Sequence, residues 1–284
     1  MVIAISGAGG FIGKKLSMYF KSGGNEMRSL PRVNAGTSPA VLAEMLTGVD
    51  VVINLAGAPI VGRWTKAYKK ILFDSRIITT RKIVEAIDLL KKKPELLISA
   101  SAVGIYASEE EQTEFKFRMA DDYLAEICSS WEKEAKNAIP FTRVAIIRLG
   151  IVLGKDGGAL QRMLPLFKLG VGGKIASGQQ GFSWIHVTDL VRAIHFIIKN
   201  PKVSGEFNFT APEVVTNEKF TKVLAGILKR PALFAVPAFA LKLIFGEGAI
   251  AVTGGQFAPP KHLLDEGFQF SFPDLKGALR DINE

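Results

Sequence analysis

The sequence predicts an α/β fold with a doubly wound parallel sheet. Three observations predict it. Short apolar runs alternate with segments of helical periodicity as far as Leu149. Most of those runs are apolar without alternation, the pattern of strands covered on both faces. The first run leads directly into a glycine-rich turn and then a helix, which is how a parallel strand–turn–helix unit begins.

Taken in order, Val2–Ser6 is the first strand. Helix formers then continue to about Lys21, with Leu16 and Phe20 one turn apart, and Gly23-Gly24 ends that helix. Glu26–Leu30 is a second strand, Val41–Leu46 a short helix and Val49–Leu55 a strongly apolar third strand. Lys66–Lys92 is a long helical pattern with Ile71, Ser75, Ile78, Ile83, Ile87 and Leu90 near one face. Leu96–Ser101 is a strand, Asp121–Ala138 a helix and Arg143–Leu149 a strand.

The second half is less regular. Gly154–Gly158 reads as a turn, Ala159–Lys168 as a short helix and Gly170–Gly181 as a loop. Ser183–Val187 is a strand leading to a helix from Asp189 to Lys199, capped by Thr188 or Asp189. Glu206–Phe209 is a strand, and Thr216 caps a helix that runs to Lys229 and stops before Pro231. Ala232–Val252 is apolar but broken by Pro237, Lys242 and Glu247, so it reads as a buried or amphipathic helix. After Pro259-Pro260 come a helix over Lys261–Glu266, a strand over Phe268–Phe270 and a terminal helix from Pro273. The division expected is a large α/β unit over residues 1–232 and a small mixed C-terminal module over 233–284.

Composition narrows the function classes. The chain has 284 residues, 48% of them hydrophobic, enough for a sizeable core without staples. Its single cysteine, Cys128, excludes a disulfide framework, and three histidines leave little material for a metal centre. A reducing, cytoplasmic setting is the expectation. The start of the chain runs straight into glycines without a basic leader and reads as a strand, not a signal peptide. No window reaches the ~18 uncharged apolar residues of a spanning helix, so no membrane partner is expected. The formal charge is +9. The basic residues are scattered and no nucleic-acid module is visible, so an anionic small molecule is expected instead of nucleic acid.

The glycine motif identifies that small molecule. Gly7, Gly10 and Gly13 lie between a strand and a helix. Gly7 permits the tight turn, Gly10 lets the backbone approach a pyrophosphate, and Gly13 lets the helix pack closely. The free N–H groups of the helix N-terminus then face the phosphates. Units that bind NAD place an acid about 20 residues past the glycines, to hold a ribose hydroxyl. Here that stretch is Arg28-Ser29-Leu30-Pro31-Arg32. An arginine there suits a 2′-phosphate, which favours NADP over NAD.

Further motifs carry a resemblance. Asn54-Leu55-Ala56-Gly57-Ala58-Pro59, Ser99-Ala100-Ser101, Arg148-Leu149-Gly150 and Ser183-Trp184-Ile185-His186 resemble an atypical branch of the extended short-chain dehydrogenase/reductases. That branch is the epimerase-family, nucleoside-diphosphate-sugar-epimerase-like group, with its own C-terminal module. The resemblance implies a Rossmann-type sheet with NADP(H) across its carboxyl edge. It implies cofactor contacts from Gly7, Gly10, Phe11, Ile12, Gly13, Arg32, Leu55, Ala56 and Gly57. Arg76 would reach a cofactor phosphate, and Ile151, in a loop after a late strand, would border the nicotinamide. A homodimer through two long helices is also implied by the resemblance.

Relatives of this kind use a serine after a strand and a Tyr-x-x-x-Lys pair, in which the ammonium lowers the tyrosine pKa. Ser101 and Tyr123 match the first two positions, but Ile127 stands where lysine is required. Tyr106 and Lys133 are the nearby substitutes. Two functions are therefore carried forward. One is an NADP(H)-dependent oxidoreductase or epimerase acting by hydride transfer on a small-molecule substrate, with Ser101 and Tyr123 catalytic. The other is an NADP(H)-binding sensor or partner protein without turnover.

Overall fold

The strands form because their apolar runs have two faces to fill. In the computed structural model, which describes residues 1–284, Ile3 and Ile5 point into one hydrophobic cluster and Ala4 into another. The same split holds for Val51 and Ile53 against Val52, and for Ile98 and Ala100 against Leu97. A strand covered on both sides has no reason to alternate apolar with polar.

The elements in chain order are β1 (Val2–Ser6), α1 (Phe11–Ser22), β2 (Glu26–Ser29), α2 (Pro39–Leu46), β3 (Val51–Asn54), α3 (Lys66–Leu89), β4 (Leu96–Ala102), α4 (Tyr123–Lys136) and β5 (Arg143–Leu149). They continue with β6 (Ile151–Gly154), α5 (Gly158–Lys168), β7 (Gly173–Ile175), β8 (Trp184–His186), α6 (Val187–Lys199), β9 (Gly205–Phe209) and α7 (Asn217–Leu228). The last are β10 (Phe234–Val236), α8 (Ala238–Phe245), α9 (Ile250–Thr253), α10 (Lys261–Asp265) and α11 (Leu275–Asn283).

The main sheet is six-stranded in the order β2-β1-β3-β4-β5-β9, and every ladder in it is parallel. The fold is therefore Rossmann-type α/β. Leu16 and Phe20 of α1 join Leu190 and Ile194 of α6 in the first cluster. Leu42 and Leu46 of α2, Ile83 and Ile87 of α3, and Ala135 of α4 fill the second. The chain lays β2 on one side of β1 and β3 on the other, so strand order reverses at β1. The carboxyl ends of β1 and β3 consequently open a crevice, the place where such sheets bind ligands.

Two small parallel sheets, β6–β8 and β7–β10, carry the less regular half. Ile151 opens β6 opposite Trp184, so it lies in a strand and not in a loop. The 170–181 segment contains β7, whose partner β10 is drawn from the apolar stretch after Ala232. Phe268–Phe270 is not a strand. Phe268 is buried against the first cluster, with its ring 4.8 Å from Phe270 and 5.6 Å from Phe196. Its apolar pattern serves packing without a ladder.

The end of the chain is bound into the body. Leu263 and Phe268 enter the first cluster, and Leu275, Ala278 and Leu279 enter a third with Trp184 and Phe220. Asp189, fully buried, accepts the backbone N–H groups of Ser271 and Phe272, both at 2.8 Å, and Arg192 Nη1 at 2.9 Å. That carboxylate is therefore not a helix cap. His186 is the cap of α6 instead, its Nδ1 accepting the Thr188 N–H at 3.2 Å.

Candidate functional site

The crevice is built first by the turn after β1. Gly7 has φ +83°, a conformation that costs other residues dearly, and its carbonyl accepts the Gly10 N–H at 3.0 Å. Phe11 and Ile12 then open α1. No side chain caps this helix and no acid sits in its first turn. Its first N–H groups and the positive end of its dipole are therefore left for a ligand. A Cβ on Gly13 would lie 2.4 Å from the Gly7 carbonyl oxygen and 2.7 Å from Ala8 Cα. The third glycine is thus what allows the helix to sit on the turn. Across the crevice, a Cβ on Gly7 would be 3.0 Å from the Leu55 carbonyl, so the loops after β1 and β3 meet there.

A cleft of about 860 Å³ follows these ends and the end of β2. Gly7, Arg32, Ala56 and Gly57 line it, together with Lys14, Lys21, Ser29 and Ser75. Its lining includes no Asp or Glu and three cations, Lys14, Lys21 and Arg32. None of the three has a carboxylate partner. Arg28, by contrast, is occupied by Glu26 at 2.8 Å and by the Thr47 carbonyl at 2.7 Å. Sequence reading missed Lys14 and Lys21. The signal was present in their spacing with Ser17, which sets three polar groups on one face of α1 beside the glycine turn.

Gly10, Phe11, Ile12, Gly13, Leu55, Arg76 and Ile151 are not in the lining of this cleft. The Phe11 ring covers the second glycine turn, where a Cβ on Gly157 would meet it at 2.4 Å. Arg76 lies against Gly57, bonds the carbonyls of Leu72 and Ala58 at 3.1 and 3.0 Å, and sits over the Trp131 ring. Burial holds its pKa below the usual guanidinium range. Asn54, wholly buried, donates to Thr80 Oγ1 at 2.8 Å and so fixes the end of β3 on α3.

Ser101 and Tyr123 are not brought together at a common point. Ser101 is 1% exposed, and its hydroxyl donates to Glu132 Oε1 at 2.8 Å. It belongs to a row of three residues in register, Ser101 on β4, Arg148 on β5 and Asn208 on β9. Arg148 grips Glu132 with Nε and Nη2, each at 2.8 Å, and gives Nη1 to the Tyr106 hydroxyl at 2.7 Å. Tyr106 in turn donates to Asn208 Oδ1. Tyr106 is thus committed to structure, and Lys133 is exposed on α4. Tyr123 donates its hydroxyl to the Lys69 carbonyl at 2.8 Å, with the Lys69 ammonium over its ring and Trp64 beside it. Burial first, then the carboxylates of Glu126 and Asp74, raise the Tyr123 pKa. Ile127 is buried in the first cluster. Burial also pushes the Cys128 thiol up to about 12, so it is inert.

No group of three or more His, Cys, Asp or Glu is placed to hold a metal ion. No helix is long and apolar enough to cross a membrane.

Residues 3–209 match the NAD dependent epimerase/dehydratase family, and residues 236–282 match a domain of unknown function, DUF1731. The chain is 41% identical over 300 residues to the "Epimerase family protein SDR39U1 homolog, chloroplastic" of Arabidopsis thaliana, covering 99% of this chain and 86% of that one. It is 36% identical to the epimerase family protein YfhF of Bacillus subtilis, covering 99% and 98%. Among solved structures it resembles human epimerase family protein SDR39U1 with NADPH, at TM-score 0.93 and 32% identity over 99% of both chains.

Proposed function

The chain belongs to the NAD dependent epimerase/dehydratase family, and from that premise we propose that it binds NADP(H) and acts as an epimerase-like oxidoreductase on a small molecule with a carbonyl or hydroxyl carbon. The observation that carries the cofactor is the acid-free cleft with Lys14, Lys21 and Arg32. The pyrophosphate would rest on the N–H groups that open α1, at the Gly7–Gly13 turn. Arg32 would fork onto the 2′-phosphate, with Lys14 and Lys21 adding positive charge. An NAD ribose would find no acid to hold its 2′-hydroxyl, so NADP is preferred. Similarity to the NADPH-bound human structure supports this reading.

The cofactor supplies hydride when bound. The chain supplies orientation and a proton. Tyr123 would give that proton to the substrate oxygen in the direction of carbonyl reduction, as a weaker acid than a lysine-paired tyrosine because burial raises its pKa. To do so it must release the Lys69 carbonyl. Ser101, whose hydroxyl is bonded to Glu132, would have to leave that carboxylate to orient a substrate oxygen.

One set of observations favours the second reading, a cofactor-binding protein without turnover. Ile127 replaces the lysine, Ser101 is sealed on Glu132, and Tyr123 is bonded to backbone. Oxidation of NADPH across a panel of aldehydes, ketones and 4-keto sugar nucleotides separates the two. Turnover that falls at least about tenfold in Tyr123→Phe supports the enzyme. Tight NADPH binding with no oxidation of any substrate supports the sensor.

A further inference from the structure

The charge of +9 is not spread evenly. Residues 157–178 carry three Lys or Arg and residues 219–246 carry five, and neither segment contains a single Asp or Glu. Lys174, Lys219 and Lys222 pair with Glu213 and Glu218, which lie between the segments; the other five cations are in no ion pair, and the cleft for the cofactor uses none of the eight.

The two segments adjoin. β7 pairs with β10, Phe234 facing Gly173. The turn after α5 reaches Pro231, which lies 3.6 Å from where a Cβ on Gly170 would be. α8 follows β10 after Pro237 alone.

This region also exposes large apolar side chains. Leu169 is 76% exposed, Leu233 87%, Phe234 64%, Phe239 69%, Leu243 73% and Ile244 60%. Of α8, only Leu241 is buried. Around them stand Lys168, Lys229, Arg230 and Lys242, all exposed and none in an ion pair. Exposed large apolar side chains gathered on neighbouring segments mark a surface that meets something.

We propose that the α5–β7–β10–α8 face docks on an anionic phospholipid bilayer, inserting the α8 and β10 side chains among the acyl chains while the four cations meet headgroup phosphates. The charge chooses this occupant. A second copy would set the same cations against one another, since a two-fold contact repeats one patch on both sides. A bilayer offers negative charge over apolar depth, and short segments that mix Phe and Leu with Lys and Arg lie in that interface. The insertion is shallow and needs no spanning helix.

Sedimentation of the full chain with vesicles tests this. Phosphatidylcholine vesicles containing phosphatidylglycerol are expected to bind at least about tenfold more tightly than phosphatidylcholine alone, with binding weakened by salt. Phe239→Ser with Leu243→Ser leaves the charge intact and is expected to abolish binding. Lys229→Glu with Arg230→Glu is expected to do the same. Lys91→Glu with Lys92→Glu, on the exposed turn after α3, is expected to leave binding unchanged. Circular dichroism checks folding, and Leu169→Ser with Leu233→Ser serves as a second apolar variant. Three results would overturn the proposal. They are wild-type protein left in the supernatant with anionic vesicles, apolar variants that bind as well as wild type, or a dimer by light scattering that the apolar variants convert to monomer.

Discussion

Ser101, Arg148 and Asn208 stand side by side on three strands, and Glu132 reaches from α4 to bond the first two. The side chains of Glu132 and Arg148 are 4% and 3% exposed. Removing one partner of such a pair costs about 3–5 kcal/mol, because the other charge stays buried. Removing the serine costs about 1 kcal/mol, since Glu132 keeps both guanidinium bonds. Urea denaturation of Glu132→Gln and Ser101→Ala is expected to give that order, with NADPH affinity unchanged in Ser101→Ala. Unchanged stability with lost turnover in Ser101→Ala would instead place the serine at the reacting carbon. A serine after a strand is legible in sequence, but its partner is not. Nothing in local spacing says that Glu132 will fold back over Ser101. His186 also belongs to this scale. Its Nδ1 must be unprotonated to accept from Thr188. Burial lowers its pKa below the ordinary 6.5, with Asp281 and Asp189 opposing. A lowered pKa means stability that is present above about 6.5 and lost as pH falls toward the folded value. The melting temperature is expected to drop as pH falls below about 6.5, and less steeply in His186→Asn, which keeps a capping oxygen. Parallel curves would refute the assignment.

Among the elements, the turn from β1 into α1 was the most legible, because three glycines in fixed spacing answer to three steric needs. Gly13 shows how little room remains, with backbone atoms 2.4–2.9 Å from any added Cβ. Gly13→Ala is expected to lose about 1–3 kcal/mol and to weaken NADPH binding, read by thermal melting and titration. A fully stable variant that binds normally would mean that the helix can shift. The long strands and helices were legible because periodicity and burial agree. β7 and β10 were not, since three-residue strands carry no period and each exists only because the other is beside it. The cap of α6 was misread for a related reason. Asp189 has the residue type of a cap, but its carboxylate is drawn away by backbone 82 and 83 residues distant.

At the scale of the whole molecule, that same carboxylate ties the segment just before α11 to α6. Asp189→Ala would leave two N–H groups without their acceptor, at about 1–3 kcal/mol each. The variant is expected to melt earlier and to be cut first by protease between Phe270 and Leu275; unchanged protection would argue against the tie. Cations without a carboxylate partner gather in two places, Lys14, Lys21 and Arg32 in the cleft and Lys168, Lys229, Arg230 and Lys242 near the apolar side chains of β10 and α8. Sequence reading reached the first through Arg32 and missed the second, because cations scattered along a chain become a patch only when β7 and β10 pair.

Arg32, Lys14 and Lys21 in an acid-free cleft are expected to select a 2′-phosphate. Calorimetric titration of NADPH and NADH into the wild type and Arg32→Ala tests this most directly. NADPH is expected to bind at least about tenfold more tightly than NADH, and Arg32→Ala is expected to weaken NADPH by about tenfold or more while leaving NADH nearly unchanged. Equal affinity for the two cofactors, or an Arg32→Ala variant that binds NADPH as well as the wild type, would contradict it.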